Sequence, residues 1–309
     1  MGLTAWESLK ESARLATLVL GWFLLATAAS GQMNTADITG KVIDSSGAII
    51  RGATVTALQV ATQAKQTAVT NDIGQYSLPQ LPLGEYTITA QAPGFKQASQ
   101  QNVALHVNDH MQQDFSLQVG SATETVAVEA GPEQVETQSV SVKDVIENNE
   151  VVDLPLKNRQ FLQLTLLSEG VVNPPGGTRG DSLQQTGSLI NVLGQRAGHN
   201  LFLVDGTNIT DEYYNNVVVN PSPDATQEFI INKTNYEAEF GGKSGAVINV
   251  VTKSGTNSFH GSAYEFLRND AVDAENYFAL KNEPVPAYKE NQFGGALGGP
   301  IVKDRTFFL

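Results

Sequence analysis

Short runs of alternating apolar and polar residues, cut by glycine-bearing turns, set the pattern of the first half of the chain. Ile38–Asp44 alternates and stops at the turn signal Ser45-Ser46-Gly47. Gly52–Leu58 repeats the alternation. Ala68-Val69-Thr70 meets Asn71-Asp72-Ile73-Gly74 and then Gln75–Leu78. Glu85–Ala90 follows Gly84, Val103–Val107 is strand-like, and Phe115-Ser116-Leu117 closes the set. Short strands with turn signals at this spacing predict an antiparallel β-sandwich over 34–118. The composition then shifts to Gly, Ser, Thr, Val and Glu over 119–140, which predicts a linker. Within it, Glu124-Thr125-Val126-Ala127-Val128 alternates β-branched with small or acidic residues. An extended strip of this kind can add a strand to the sheet edge of another protein.

Further along, Val151–Leu164 is a short acidic lead into an amphipathic segment, and Leu162, Leu164, Leu166 and Leu167 run on to the Gly170 break. Leu201-Phe202-Leu203-Val204 reads as a buried strand ending in the hairpin signal Asp205-Gly206. Phe259–Arg268 reads as a strand of mixed pattern, as expected where one face meets lipid and the other a polar lumen.

The start of the chain has a different logic. Lys10 and Arg14 precede Leu15–Ala29, a stretch without charge, and Ala26-Thr27-Ala28 or Ala28-Ala29-Ser30 supplies a small-residue exit. The run falls short of the ~20 residues that cross a bilayer. Basic flank, short apolar core and small exit predict a secretory signal peptide over 1–30 and an exported chain.

Charge and composition narrow the chemistry. The net charge of −13 argues against a nucleic-acid role, which needs a basic stripe, and against adhesion to anionic lipid. Without cysteine there is no disulfide framework, thiol nucleophile or Cys-ligated zinc. Neither G-x-S-x-G nor H-E-x-x-H occurs. His106 and His110 share the spacing of a helical metal pair but lie in strand-like sequence, where positions i and i+4 are ~13 Å apart; they read as surface histidines. Gly242-Lys243-Ser244 resembles the end of a P-loop, yet Glu237 stands where its first glycine belongs, and that carboxylate would repel phosphate. Arg179-Gly180-Asp181 is a chance-level tripeptide. Asp205, Asn208 and Asp211 lack the closing Glu of a calcium loop and read as turn formers. No catalytic residue, metal site or cofactor is expected, and the chain does not read as an enzyme.

The order Gly40-x-Val42-x-Asp44-x-x-Gly47, Gly52-Ala53-x-Val55, Thr70-x-x-x-Gly74-x-Tyr76, Leu81-x-x-Gly84-x-Tyr86 and Gly94-Phe95 resembles the carboxypeptidase regulatory-like domain. That resemblance implies a transthyretin-like or carbohydrate-binding-like sandwich without peptidase activity; Tyr76 and Tyr86 read most simply as core and strand-packing residues, with sugar stacking as the alternative. The strip Glu124, Thr125, Val126, Ala127 and Val128 resembles the TonB box of outer-membrane receptors, where an inner-membrane energy transducer docks. Val151–Leu164, Gly194–Asn208, Pro223–Phe229, Tyr236–Gly242 and Gly245–Asn257, in this order, look like the plug domain of TonB-dependent receptors of the Oar-like group. Asn291–Phe308 resembles the start of their barrel.

The resemblance implies a mainly β chain: the sandwich over 34–118, an α+β plug over 141–256, and the first strands of an incomplete outer-membrane β-barrel over 257–309. It implies a TonB-type transducer as partner, the outer membrane as location with the N-terminal modules in the periplasm, and uptake of a nutrient ligand, a glycan being one candidate. A barrel must close to satisfy its backbone in lipid, so the chain is expected to be a fragment or truncation that does not transport by itself. The competing expectation is a periplasmic or surface module that binds carbohydrate or serves adhesion.

Overall fold

The computed structural model describes residues 34–120, 125–128, 139–173 and 190–309, apart from Pro155, Lys157, Asn158, Glu212, Tyr214, Asn216, Glu237, Asp273 and 275–286. The expected signal segment over 1–30, Glu124 and the tripeptide 179–181 lie outside the described residues.

The first strands in chain order are β1 (Thr35–Asp44), β2 (Thr54–Gln59), β3 (Lys65–Val69), β4 (Gln75–Pro82), β5 (Gly84–Gln91), β6 (Gln97–Leu105), β7 (His110–Gln112), β8 (Phe115–Leu117) and β9 (Thr125–Val128). They form two sheets. In one, β1 pairs antiparallel with β4 and parallel with β7 and β8. The other has the order β3-β2-β5-β6-β9. Alternation puts Ile38 and Val42 of β1, Tyr76 and Leu78 of β4, and Tyr86 and Ile88 of β5 into one core with Val55, Leu105, Phe115 and Leu117. The two tyrosines are 4% and 2% exposed, so they are core residues.

The pairing corrects the expected antiparallel sandwich, because β7, β8 and β9 all run parallel to their neighbours. Parallel partners need a long crossover, and strands β2 to β6 supply one between β1 and β7. A glycine makes this crossing possible. A Cβ on Gly40 would lie 1.9 Å from the Gln113 carbonyl oxygen, so the link between β7 and β8 passes over β1 only where β1 has no side chain. The Tyr76 hydroxyl donates to that same oxygen at 2.6 Å.

A third, central sheet follows, built from β10 (Val142–Glu147), β13 (Leu201–Val204), β14 (Thr207–Asn208), β15 (Thr226–Thr234) and β16 (Val247–Thr252) in the order β10-β15-β16-β13-β14. The short pair β11 (Val171–Val172) and β12 (Asn191–Val192) stands beside it. Strands β13 and β14 close through Asp205 and Gly206, with φ of 49° and 76°. Left-handed backbone at both central positions is what a two-residue hairpin with matching twist requires.

Strands β15 and β16 are buried almost throughout. Both faces of this sheet are covered, each by a different partner. Phe229, Ile231, Ile248 and Val250 pack with Phe161, Leu162 and Leu164 from a 3-10 helix over Phe161–Leu167. Helix α1 (Asn148–Asp153) adds Val151 to this face. On the opposite face Ile230 and Val251 pack against Val107, which comes from the sandwich. The two modules thus share an apolar seam.

The last element is an antiparallel meander of β17 (His260–Asn269), β18 (Lys289–Val302) and β19 (Thr306–Phe308). Its glycines have a packing role. A Cβ on Gly294 would meet the Tyr264 hydroxyl at 2.5 Å, and one on Gly299 would meet the Phe259 ring at 2.4 Å. The aromatic rings lie over positions that carry no side chain.

Candidate functional site

The strip lies at the edge of the sandwich. Thr125, Val126, Ala127 and Val128 form β9 and pair in parallel with Gln97, Ala98, Ser99 and Gln100 of β6. The sheet edge that the strip covers here belongs to the same chain.

The seam between the sandwich and the central sheet is built on a turn. Residues His106 to Asp109 connect β6 to β7, with Asn108 at φ 57°. The Asp109 carboxylate accepts the His106 N–H at 2.7 Å and holds the Lys143 ammonium at 2.8 Å. From β15, Glu228 reaches the same turn. One carboxylate oxygen is 2.6 Å from His106 Nδ1 and the other accepts the Val107 N–H at 3.1 Å. Glu228 is only 4% exposed. A buried carboxylate is costly unless paired and hydrogen-bonded, and this one has both.

His106 is therefore no surface histidine. The strand-like run that suggested one ends at Leu105, and the turn after it carries the imidazole into the seam. The Glu228 hydrogen bond, and then the charges of Glu228, Asp109 and Glu147, raise its pKa above the ordinary 6.5 against the opposing effect of burial. A raised histidine pKa contributes stability in full below the unfolded value and loses it as pH climbs through the folded one. Glu228→Gln is thus expected to lower the melting temperature most below pH 6.5, with the gap to wild type closing as pH rises. A gap that stays constant with pH would overturn this reading. Its one trace in the sequence is an acid, Glu228, at the head of the apolar run Phe229-Ile230-Ile231.

A second charged cluster joins the central sheet to the meander. Arg159, at φ 54°, sits with its guanidinium on the buried Asp224 carboxylate. It also stacks on the rings of Tyr264 and Phe266, 4.0 and 4.6 Å from their centroids. Ser262 of β17 donates to Asp224 at 3.2 Å. Its partners come from three separated segments, which is why no local motif reveals it.

The remaining sequence candidates are turn and surface features. Asp205 accepts the Thr252 N–H at 2.9 Å and the Thr252 hydroxyl at 2.7 Å. Asn208 and Asp211 accept the N–H groups of Thr210 and Tyr213. Ser244 contacts His199 at 2.9 Å. Among the described residues no group of three or more acidic or histidine side chains is suited to a metal. An open groove on the sandwich is lined by Thr39, Lys41, Asn71, Gln75, Ser77 and Gln112. Tyr76 borders it but is buried, so it offers a sugar ring no stacking face.

The comparisons with known proteins agree with this layout. Residues 37–118 match the carboxypeptidase regulatory-like domain and residues 251–309 match the outer membrane beta barrel domain. The chain is thus similar to TonB-dependent receptors of the Oar-like kind, with a regulatory-like sandwich in front of residues that match an outer-membrane barrel. It is 28% identical over 310 residues to the TonB-dependent transporter Oar of Myxococcus xanthus, a match that takes in 94% of this chain. The chain spans 28% of that relative's length. Among solved structures, the siderophore receptor PirA of Acinetobacter baumannii is similar at 22% identity and a TM-score of 0.40, covering 57% of this chain and 24% of the receptor. The ferric enterobactin receptor PfeA of Pseudomonas aeruginosa is similar at 19% identity and a TM-score of 0.39, covering 53% and 23%.

Proposed function

We propose that the chain is the N-terminal part of a TonB-dependent outer-membrane receptor for ligand uptake, in which the strip 124–128 docks the inner-membrane energy transducer. The observation that carries this reading is the seating of the central sheet on the meander. Tyr264 and Phe266 of β17 face Arg159, while Phe293 and Leu297 of β18 pair on the other face and are 78% and 61% exposed. A strand pair with one face on a folded module and an exposed other face that carries Phe293, Leu297 and Leu267 around the single charge of Glu265 fits the wall of a barrel with its plug against it. The strip supplies the other half of the reading, because four extended residues at a sheet edge present backbone groups for strand addition. The ligand itself is unspecified.

Titration of the chain with the purified periplasmic domain of a TonB-type protein tests the docking role. Val126→Pro removes one strand N–H and is expected to weaken binding by roughly tenfold or more. Equal binding by wild type and Val126→Pro would remove the strip from the mechanism.

A further inference from the structure

We infer that the sandwich and the central sheet move as one body, and that Asn257 is the clasp holding this body on the meander. The inference rests on the receptor reading above, in which the meander belongs to a barrel wall. Asn257 lies between β16 and β17, where the chain passes from the central sheet to the meander. Its backbone N–H donates to the Ala61 carbonyl at 3.1 Å, and its side-chain amide to the Thr62 carbonyl at 3.0 Å. The same amide nitrogen donates to the Asp304 carboxylate at 2.7 Å, while the amide oxygen accepts the Asp304 N–H at 2.9 Å. Ala61 and Thr62 belong to the turn between β2 and β3 of the sandwich, and Asp304 to the turn between β18 and β19. The fit is close beside the node. A Cβ on Gly255 would lie 2.3 Å from the Phe308 carbonyl oxygen, so this segment reaches β19 only because it has no side chain there.

The sandwich side of the node is stiff. Gln59 donates to the Leu83 carbonyl at 2.6 Å and accepts the Thr62 hydroxyl. Leu83 packs with Val107, Ile230 and Val251 in the seam, so Gln59 links the turn at the node to the seam. Parting the seam would strand the buried Glu228 carboxylate. It would also separate Lys143 from Asp109, whose side chains are 12% and 13% exposed. Asn34 adds a further tie, accepting from Asn249 at 3.1 Å and donating to Asp205 at 3.3 Å. The Arg159 cluster binds the sheet to β17 without involving the sandwich. At the node, by contrast, Asn257 is half-buried and Asp304 exposed, so water replaces these hydrogen bonds at small net cost. When central sheet and meander separate, the sandwich stays on the sheet and leaves the turn between β18 and β19.

Spin labels test this, since the chain has no cysteine of its own. Lys65→Cys/Val152→Cys reports the sandwich against α1 on the central sheet, and Lys65→Cys/Leu297→Cys reports it against the meander; all three positions are exposed. In the full chain in detergent, both pairs should give one narrow distance distribution by electron–electron double resonance. Asn257→Asp removes both amide donors and sets a carboxylate against Asp304. It is expected to about double the width of the distribution between positions 65 and 297 and to leave that between 65 and 152 unchanged. Asn257→Ala repeats the test without added charge where the first variant does not fold. If the distances from 65 to 297 are equally broad in wild type and folded variants, Asn257 is no clasp. If those from 65 to 152 widen as well, or instead, sandwich and sheet are not one body. Either result overturns the inference. Failure of the wild type to bind a TonB-type periplasmic domain would count against the receptor reading alone, since no labelled distance depends on it.

Discussion

Replacing Arg159 by alanine is expected to destabilise the chain by on the order of 3 kcal/mol, because it strands a buried carboxylate. The Asp224 side chain is 9% exposed, and Arg159 is its cationic partner. Without the guanidinium, its hydrogen bonds among the described residues come from the hydroxyls of Ser262 at 3.2 Å and Ser222 at 3.4 Å, and the Lys253 charge acts on it only at longer range. Two neutral hydrogen bonds do not replace an ion pair in a site largely closed to water. The stacking of Arg159 on Tyr264 and Phe266 is lost in the same step, which should loosen β17 from the central sheet. Arg159→Lys separates the two contributions. It keeps the charge but gives up the planar fork and the stacking, so it should fall between wild type and alanine. Denaturant unfolding of the three proteins checks the order. Arg159→Ala as stable as wild type would show that water already screens the pair.

Phe229→Ala is expected to cost about 3–5 kcal/mol, the range for removing a large aromatic ring from a closed core. Phe229 is fully buried and meets Phe161 edge-on, with centroids 5.8 Å apart. Around it lie Leu162, Leu164, Ile231 and Val250, in β strands and a helix that cannot collapse far into the space left. Phe161→Ala should be similarly costly. The double variant should cost less than the sum, since both singles open the same space and break the same ring contact, worth about 0.5–1.5 kcal/mol beyond area. Strict additivity would mean the two rings do not share a site.

The fold was legible where local chemistry decides it. The alternation of Ile38–Asp44 and Glu85–Ala90 became β1 and β5, and Asp205-Gly206 became a two-residue hairpin. Leu201-Phe202-Leu203-Val204, read as a buried strand, became β13. Pairing direction was not legible, since alternation gives a strand's faces and says nothing of its neighbour. The parallel placement of β7, β8 and β9 depends on crossovers and on the open position at Gly40. The strip itself could be read as an extended edge segment, but which edge it covers could not. The charged sites were least visible. His106 and Glu228 are 122 residues apart in sequence, and Arg159 and Asp224 are 65 apart. In each case burial gives the charge its importance, and burial is a property of the assembled modules.

Strand β15 serves two masters by parity. Phe229 and Ile231 face the 3-10 helix, while Glu228 and Ile230 face the turn of the sandwich. Because successive side chains point to opposite faces, losing or gaining one residue here exchanges the two sets wholesale. The benzyl ring would be driven toward His106 and the carboxylate into an all-apolar core, so both modules would lose their contacts at once. Substitutions in β15 can be graded in severity, whereas a change of length cannot. The strand therefore acts as a reading frame in three dimensions, and the packing of sandwich and central sheet depends on it together.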